Sequence, residues 1–418
     1  MVIAKEISSC RICGSKALIR ILSLGNQCVT NFLDNSNEEV YKAPLELVLC
    51  DPKSGGCGLL QLKHTFDHDL LYKKYWYQSG ISTTMVRALS NIVESAEDIV
   101  VLKPNDIVLD IGSNDGTLLK QYKNNGIIRI GFEPSNLWQI SNNDGIEVIH
   151  NYFNSADFNS RFPYKKAKII TSIAMFYDLE NPSLFVENIK ECLDSDGLWI
   201  IQMNYLGLML ENNTFDNISH EHLEYYSLGT LEYLLKAHNL SVKDVLLNDV
   251  NGGSFRIYVT HSSSKLRFPE GSESRITAQR EYERSAGFNN PESYHKFAER
   301  IKNIKNQLLQ FLNSEKNNGK ISYIYGASTR GLVLLQFCGI DNKLIKFATD
   351  KNSEKWGKYI AGTGIKILPI DEYRKNKPDY LLVLPYQFID EIAEQEANFL
   401  DDGGKLLIAI PSLKIISK

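Results

Sequence analysis

Residues 106–122, DIVLDIGSNDGTLLKQY, decide how the chain is arranged. Asp106–Ile111 is an apolar, β-branched run and reads as a buried strand. It passes into Gly112-Ser113-Asn114-Asp115-Gly116 and then a predicted helix. Strand, glycine turn and helix open a doubly wound α/β sheet, whose ligands lie outside the carboxyl ends of the strands. The spacing Gly112-x-x-x-Gly116 is not the GxGxxG of dinucleotide folds. Glycines here let a ligand approach backbone atoms closely. Asp110 sits at the strand end. The next strand, IRIGFEPS (128–135), ends in Glu133, where an acid accepts hydrogen bonds from ribose hydroxyls. This pattern fits S-adenosylmethionine, whose sulfonium has no pyrophosphate to cradle. Asp110, Gly112, Asn114, Gly116, Thr117, Glu133, Pro134 and Ser135 are the expected cofactor residues. The competing reading is a tight strand-to-helix turn with no ligand.

Downstream, AKIITSIAMF (167–176) reads as the fourth strand and places Asp178 where a residue can face the methyl donor. A capping or solvated aspartate is the plainer alternative. SDGLWIIQMNYL (195–206) is another buried strand, with Asn204 near its end. It leads to TFDNISHEHLEYYSL (214–228), which places His220, Glu221 and His222 side by side and Tyr225 close behind. His220 and His222 share a face only if the backbone is extended, with Glu221 pointing the other way. These acid–base groups make the segment a candidate catalytic site rather than a packing motif; the alternative is a capped, hydrogen-bonded turn. NGGSFRIYVT (251–260) reads as an antiparallel edge strand.

Upstream, Cys10-x-x-Cys13 is a knuckle, and Cys50 and Cys57 form a wider pair in CDPKSGGCGLLQL. Four thiolates suit tetrahedral Zn2+ in a closed, structural site. Cys28 is a rival ligand, and unrelated buried cysteines are the alternative. The Tyr-rich segment LLYKKYWYQSGISTTM (70–85) offers Tyr75, Tyr77 and Ser79 as cleft-lining residues.

Beyond 290, Tyr294, Phe297, Ile301, Ile304, Leu308 and Leu312 recur at helical spacing and predict a linker helix over 291–319. KISYIYGASTRGLVLLQF (320–337) is a second strand–turn–helix, followed by a strand ending at Asp350. Ser328 and Arg330 lie where a helix N-terminus can hold phosphate. A scaffold without ligand is the alternative, since the glycine spacing alone is weak.

The expected architecture is α/β in three parts: a zinc-binding module (1–70), a Rossmann-like methyltransferase domain (71–285) and a second Rossmann-like domain (286–418). A net charge of −4 gives no basic excess for nucleic acid. No apolar run approaches the roughly 18 residues of a membrane span, and the N-terminus lacks signal-peptide features. A cytoplasmic monomer or small homo-oligomer, free of nucleic acid and membrane, is expected.

In this order the motifs resemble the three-domain sugar C-methyltransferases of deoxysugar biosynthesis. The likeness runs through the four cysteines, YKKYWYQSG, DIGSNDGTLL, GFEPS, HEHLEYYSL, NGGSFR, YGASTRGLVLL and the closing LPYQF. It implies S-adenosylmethionine and Zn2+ as cofactors, a nucleotide-linked keto sugar as substrate, and Glu221 and His222 as the acid–base pair. His222 would be the base, with His220 or Tyr225 steadying an enolate. The C-terminal domain, with Ser328, Arg330 and Asp350, would close over the sugar nucleotide. The family reads YHEH where this chain has Ser219, and carries histidine where this chain has Asp178. O-methylation of a sugar hydroxyl, or a non-catalytic S-adenosylmethionine-binding protein, are the alternatives.

Overall fold

A computed structural model describes residues 4–29, 32–36, 38–67, 71, 78–142 and 145–418. Tyr75 and Tyr77 lie outside the described residues.

The first module contains β1 (Ala4–Glu6), β2 (Leu18–Cys28), β3 (Phe32–Leu33), β4 (Lys42–Cys50), β5 (Leu60–Leu62) and β6 (His64–Phe66). The alternation of β2 and β4 buries one face of a long antiparallel pair, whose register shifts at Arg20/Leu22 and Ser23/Gly25. After β4 the chain folds back over its own cysteine. A Cβ at Gly56 would lie 2.5 Å from Cys50 Sγ, so only glycine fits the wrap.

The second part holds β7 (Ile107–Ile111), β8 (Ile128–Phe132), β9 (Ile146–Ile149), β10 (Ala167–Ile173), β11 (Leu193–Asn204), β12 (Glu224–Tyr225), β13 (Leu240–Asn248) and β14 (Ser254–His261). Seven of these form one sheet in the order β13-β14-β11-β10-β7-β8-β9. β11 to β9 run parallel, and β14 lies antiparallel between β11 and β13. The predicted edge strand β14 is thus interior, and β13 is the edge, pairing with β14 from Leu240 opposite His261 to Asn248 opposite Ser254. The strand order reverses at β7, which puts the crevice at the ends of β7 and β10. The helix expected after Gly116 is a single 3-10 turn, Leu119–Gln121. Asn124, Asn125 and Gly126, all turn formers, follow it before β8.

The third part holds β15 (Ser322–Tyr325), β16 (Phe347–Asp350), β17 (Tyr359–Ile360), β18 (Ile365–Pro369), β19 (Tyr380–Val383), β20 (Lys405–Ile408) and β21 (Lys414–Ile416). Its eight-stranded sheet, β21-β20-β19-β15-β16-β18-β17-β3, is completed by β3 of the first module. Helix Pro291–Asn317 precedes it. Asn290 caps the helix through Glu292 N–H and proline opens it. Its predicted apolar stripe is buried throughout. Each such side chain contributes about 1.5–3 kcal/mol.

The first module is therefore not a separate bead. β3 pairs with β17, Lys358 pairs with Asp34, and Gln336 Oε1 accepts from Cys28 N–H at 2.7 Å. On another side, β12 extends the module's own sheet by pairing with β5.

Candidate functional site

A cavity of about 240 Å3 opens at the ends of β7, β8 and β10. Gly112 turns the chain there with φ 71°, and Asn114 follows at φ 53°. Asn114 N–H donates to Glu133 Oε2 at 2.7 Å, and Ser135 N–H to Glu133 Oε1 at 2.8 Å. These bonds aim the carboxylate from the end of β8. Thr171 Oγ1 donates to Asp110 Oδ1 at 2.6 Å, while burial pushes the Asp110 carboxyl up to about 7. Ser79 N–H donates to Asn114 Oδ1 at 3.1 Å and Gly80 N–H to Asp115 Oδ2 at 2.7 Å. These contacts hold the start of helix Thr83–Ile99 over the turn.

Asp110, Gly112, Asn114, Thr117, Glu133, Pro134 and Ser135 line this cavity, with Ser79 and Asp178. Gly116 serves packing instead: a Cβ there would lie 3.0 Å from Ser141 Cβ and 3.2 Å from Ile146 Cδ1. A carboxylate held at one end, an apolar wall including Met175, Phe153 and Phe185, and an open glycine turn fit an adenosine carrying an amino-acid tail.

The His-Glu-His segment is not extended. His222 N–H donates to Ser219 O at 3.2 Å, closing a turn, and the strand begins only at Glu224. The turn sends the two histidines to different places. His220 packs on Phe66 and bonds Ala43 O through Nε2 at 3.1 Å, inside the first module. His222 lies edge-on to Tyr177, with ring centroids 4.4 Å apart, and Nδ1 is 2.7 Å from Asn217 O. A carbonyl only accepts, so Nδ1 carries the proton and Nε2 keeps the lone pair. Burial pushes His222 down to about 4, the Asn217 carbonyl opposes this, and Arg330 adds to it. The imidazole is neutral at pH 7. Glu221 is pushed up to about 7 by burial. His222 lines a small cavity of about 10 Å3 with Tyr177, Asn204, Asn217, Glu224 and Tyr225. Asn204 Nδ2 donates to Asn251 O at 3.1 Å. Tyr177 lines this small cavity, and Asp178, the next residue, lines the larger one.

The C-terminal domain meets the donor domain through Arg330. Its Nε donates to Asp216 Oδ2 at 3.0 Å, Nη1 to Asn251 O at 2.6 Å and Nη2 to the Tyr386 hydroxyl at 3.2 Å. Tyr386 in turn donates to Asp216 Oδ1 at 3.0 Å. Asn251 lines the larger cavity. Ser328 caps its own helix through Gly331 N–H at 3.0 Å, and Asp350 pairs with Lys355 at 3.2 Å. The glycines of GASTRG serve close packing: Cβ atoms at Gly326 and Gly331 would meet Pro385 at 2.6 Å and Leu384 at 2.5 Å. Ser328 and Asp350 thus have partners within their own domain, and of the three only Arg330 bonds a residue, Asn251, that lines the larger cavity. Asp216, Asn217, Tyr177 and Tyr386 were missed by sequence reasoning. Asp216 and Asn217 stand in TFDN and Tyr386 in LPYQF, motifs already noticed, but nothing local connects them.

The thiol sulfurs of Cys10, Cys13, Cys50 and Cys57 all lie within 4.8 Å of one another. Cys13–Cys50 is 3.4 Å and Cys10–Cys57 3.6 Å. A zinc tetrahedron with Zn–S bonds near 2.3 Å has sulfur–sulfur edges of roughly 3.8 Å. The donor set fits Zn2+ with no position left open for catalysis. Cys28 stands apart: a Cβ at Gly362 would lie 2.7 Å from its sulfur, so it faces the C-terminal domain.

A family model for a methyltransferase domain matches residues 82–245, and one for a C-methyltransferase C-terminal domain matches 249–411. A third, for a domain described as zinc-binding, matches 10–72. The chain is 29% identical to C-methyltransferase NovU of Streptomyces niveus, over 99% of this chain and 98% of that protein. Among solved structures, the plantazolicin methyltransferase BpumL in complex with SAH is similar over 44% of this chain and 87% of its own, at 15% identity and a TM-score of 0.36. The mitomycin 7-O-methyltransferase MmcR is similar over 43% and 55%, at 12% identity and a TM-score of 0.35. Among the described residues no helix is long and apolar enough to cross a membrane.

Proposed function

We propose, for a chain that belongs to the C-methyltransferases with an N-terminal zinc-binding module, that the acceptor is the carbon beside the keto group of a nucleotide-linked sugar and that His222 is the base. The chain is an S-adenosylmethionine-dependent methyltransferase. The observation that carries the reading is the His222 Nδ1–Asn217 O bond of 2.7 Å, which leaves Nε2 basic on a neutral ring.

S-adenosylmethionine, when bound, supplies a methyl group on a positively charged sulfur. His222 Nε2 removes the proton from the carbon next to the carbonyl, and the electron pair moves onto the carbonyl oxygen. Glu221, kept neutral by burial to about 7, donates a hydrogen bond to that oxygen. Tyr225 faces the same small cavity as His222 and is a second donor. The pair would return to the carbon as that carbon takes the methyl group, while the carbon–sulfur bond breaks and leaves its electron pair on the sulfur, which becomes an uncharged thioether. Asp178, in the wall of the larger cavity, orients the reacting groups. Arg330, set between Asp216 and Asn251, meets the anionic part of the substrate. Glu133, Asp110 and the Gly112 turn, which line the larger cavity, would hold the donor, with Glu133 accepting from its ribose hydroxyls. Zn2+ on Cys10, Cys13, Cys50 and Cys57 is structural.

Incubation of purified protein with methyl-labelled donor and a panel of nucleotide sugars tests this reading, with NMR of the product. A new C–CH3 signal supports it. An O–CH3 signal replaces it with O-methylation, and donor binding without transfer across the panel replaces it with a binding protein. The mass of a co-purifying ligand names the sugar directly.

Two further outcomes are expected. Glu133→Ala weakens S-adenosylhomocysteine binding by about 10- to 100-fold, since a charged hydrogen bond is worth roughly 1.5–3 kcal/mol. Calorimetry measures this, and an unchanged affinity removes Glu133 from the donor site. The pH profile of kcat/KM follows from the two shifts. The lowered value for His222 keeps it neutral as pH falls to about 4. The raised value for Glu221 keeps it protonated until pH climbs through about 7. The profile is a bell between these limits, and Glu221→Gln, which still donates, removes the alkaline limb. An alkaline limb that survives in Glu221→Gln belongs to another group.

A further inference from the structure

The turn that carries Glu221 and His222 is gripped between the cysteine module and the donor domain. On the module side, Leu62 N–H donates to Leu223 O at 2.8 Å, and β12 pairs with β5, Glu224 opposite Gln61 and Tyr225 opposite Leu60. On the donor side, Leu223 N–H donates to Tyr177 O at 2.8 Å, next to Asp178. A buried Arg11–Glu224 pair lies in this layer. Arg11 lies between the ligands Cys10 and Cys13, and its side chain is 3% exposed. Its Nε stands 3.7 Å from Oε1 of Glu224, whose side chain is 0% exposed. The rest of the guanidinium is tied to the module: Nη1 donates to Leu62 O at 2.6 Å and Nη2 to Thr65 Oγ1 at 2.8 Å. Among the described residues Arg11 is the one cation within ion-pair range of the Glu224 carboxylate, toward which the Leu179 N–H also donates. Removing one member of a buried pair leaves the other uncompensated in a dry site.

We propose that Arg11 is a positioning residue for methyl transfer: by clamping Glu224 it sets residues 223–225, and with them the Glu221–His222 turn, against the donor crevice. The cysteine knuckle then governs turnover through these residues. Donor affinity is independent of it, because the donor residues are fixed by Ser79, Gly80 and Thr171. The inference rests on the reading of His222 as the base on the acceptor side.

The test uses the full-length zinc-loaded chain and the variants Arg11→Met, Arg11→Lys and Glu224→Gln. Three quantities are read: hydrogen exchange of peptides spanning 219–226, S-adenosylhomocysteine affinity by calorimetry, and transfer to the acceptor identified by the panel. In Arg11→Met and Glu224→Gln, exchange over 219–226 rises by about tenfold or more, while exchange over 107–117 is unchanged. Donor affinity stays within about twofold and kcat falls roughly 10- to 100-fold, the cost of misplacing a reacting group by about 1 Å. Arg11→Lys falls between these variants and the parent. Unchanged exchange over 219–226 overturns the proposal, as does a loss of donor affinity in step with it, which makes Arg11 a residue of general stability. Should Arg11→Met fail to fold, Glu224→Gln decides. The exchange result needs no acceptor. Full turnover in His222→Asn therefore removes the base assignment without touching the Arg11 result, and the reverse holds too.

Discussion

His222→Asn lowers kcat by about 10²- to 10⁴-fold, the usual contribution of a positioned general base, and leaves S-adenosylhomocysteine affinity where it was. Asparagine is close in size and keeps a donor for the Asn217 carbonyl, so the turn should hold. It has no nitrogen lone pair able to take a proton. His222 is absent from the wall of the larger cavity, which is why donor affinity is spared. Single-turnover transfer with labelled donor, alongside calorimetry, separates the two effects. Full transfer by a folded His222→Asn sinks the assignment, and a parallel loss of donor binding points to collapse of the turn.

Stripping the metal has the other large effect. A structural zinc site supplies about 10–16 kcal/mol of apparent binding free energy in small peptides, and binding there is folding. In this chain the loss does not stay local. β3 pairs with β17 and β5 with β12, so an unfolded first module leaves an edge of the C-terminal sheet bare and releases the His222 turn. Treatment with a strong chelator is expected to lower the melting temperature of the whole chain and abolish transfer. Readdition of Zn2+ should restore both. Metal analysis and chelator-dependent melting curves check this. Protein without stoichiometric zinc, or an unchanged melt after chelation, rules out the role.

Much of the donor crevice was legible because it is built from local signals. The turn needs glycine at positive φ, and Gly112 and Gly116 supply it at 71° and 76°. Glu133 stands at a strand end that its apolar run makes visible. Gly116 shows where such reading stops. The residue type announces a close approach, but not whether ligand or protein comes close; here Ser141 and Ile146 do. The same holds in the C-terminal domain, where Gly326 and Gly331 admit Pro385 and Leu384. His220 and His222 were read together because they are two residues apart. One turn bond, His222 N–H to Ser219 O, sends them to different partners.

By itself the amino-acid order determined the doubly wound donor domain, the four-cysteine knuckle and the buried stripe of helix Pro291–Asn317. Each rests on backbone preference or apolar period within a short window, and such preferences act wherever the segment ends up. Tertiary structure alone decided that β3 would complete the C-terminal sheet, that Arg330 would meet Asp216 and Tyr386, and that Arg11 would meet Glu224. Those contacts join residues 56 to 328 positions apart, such as Arg330 with Tyr386 and Phe32 with Ile360. Their cause is the burial of whole faces. Once β5 takes β12 onto its edge, the direction of every side chain on the turn follows from that pairing and not from its neighbours in the chain.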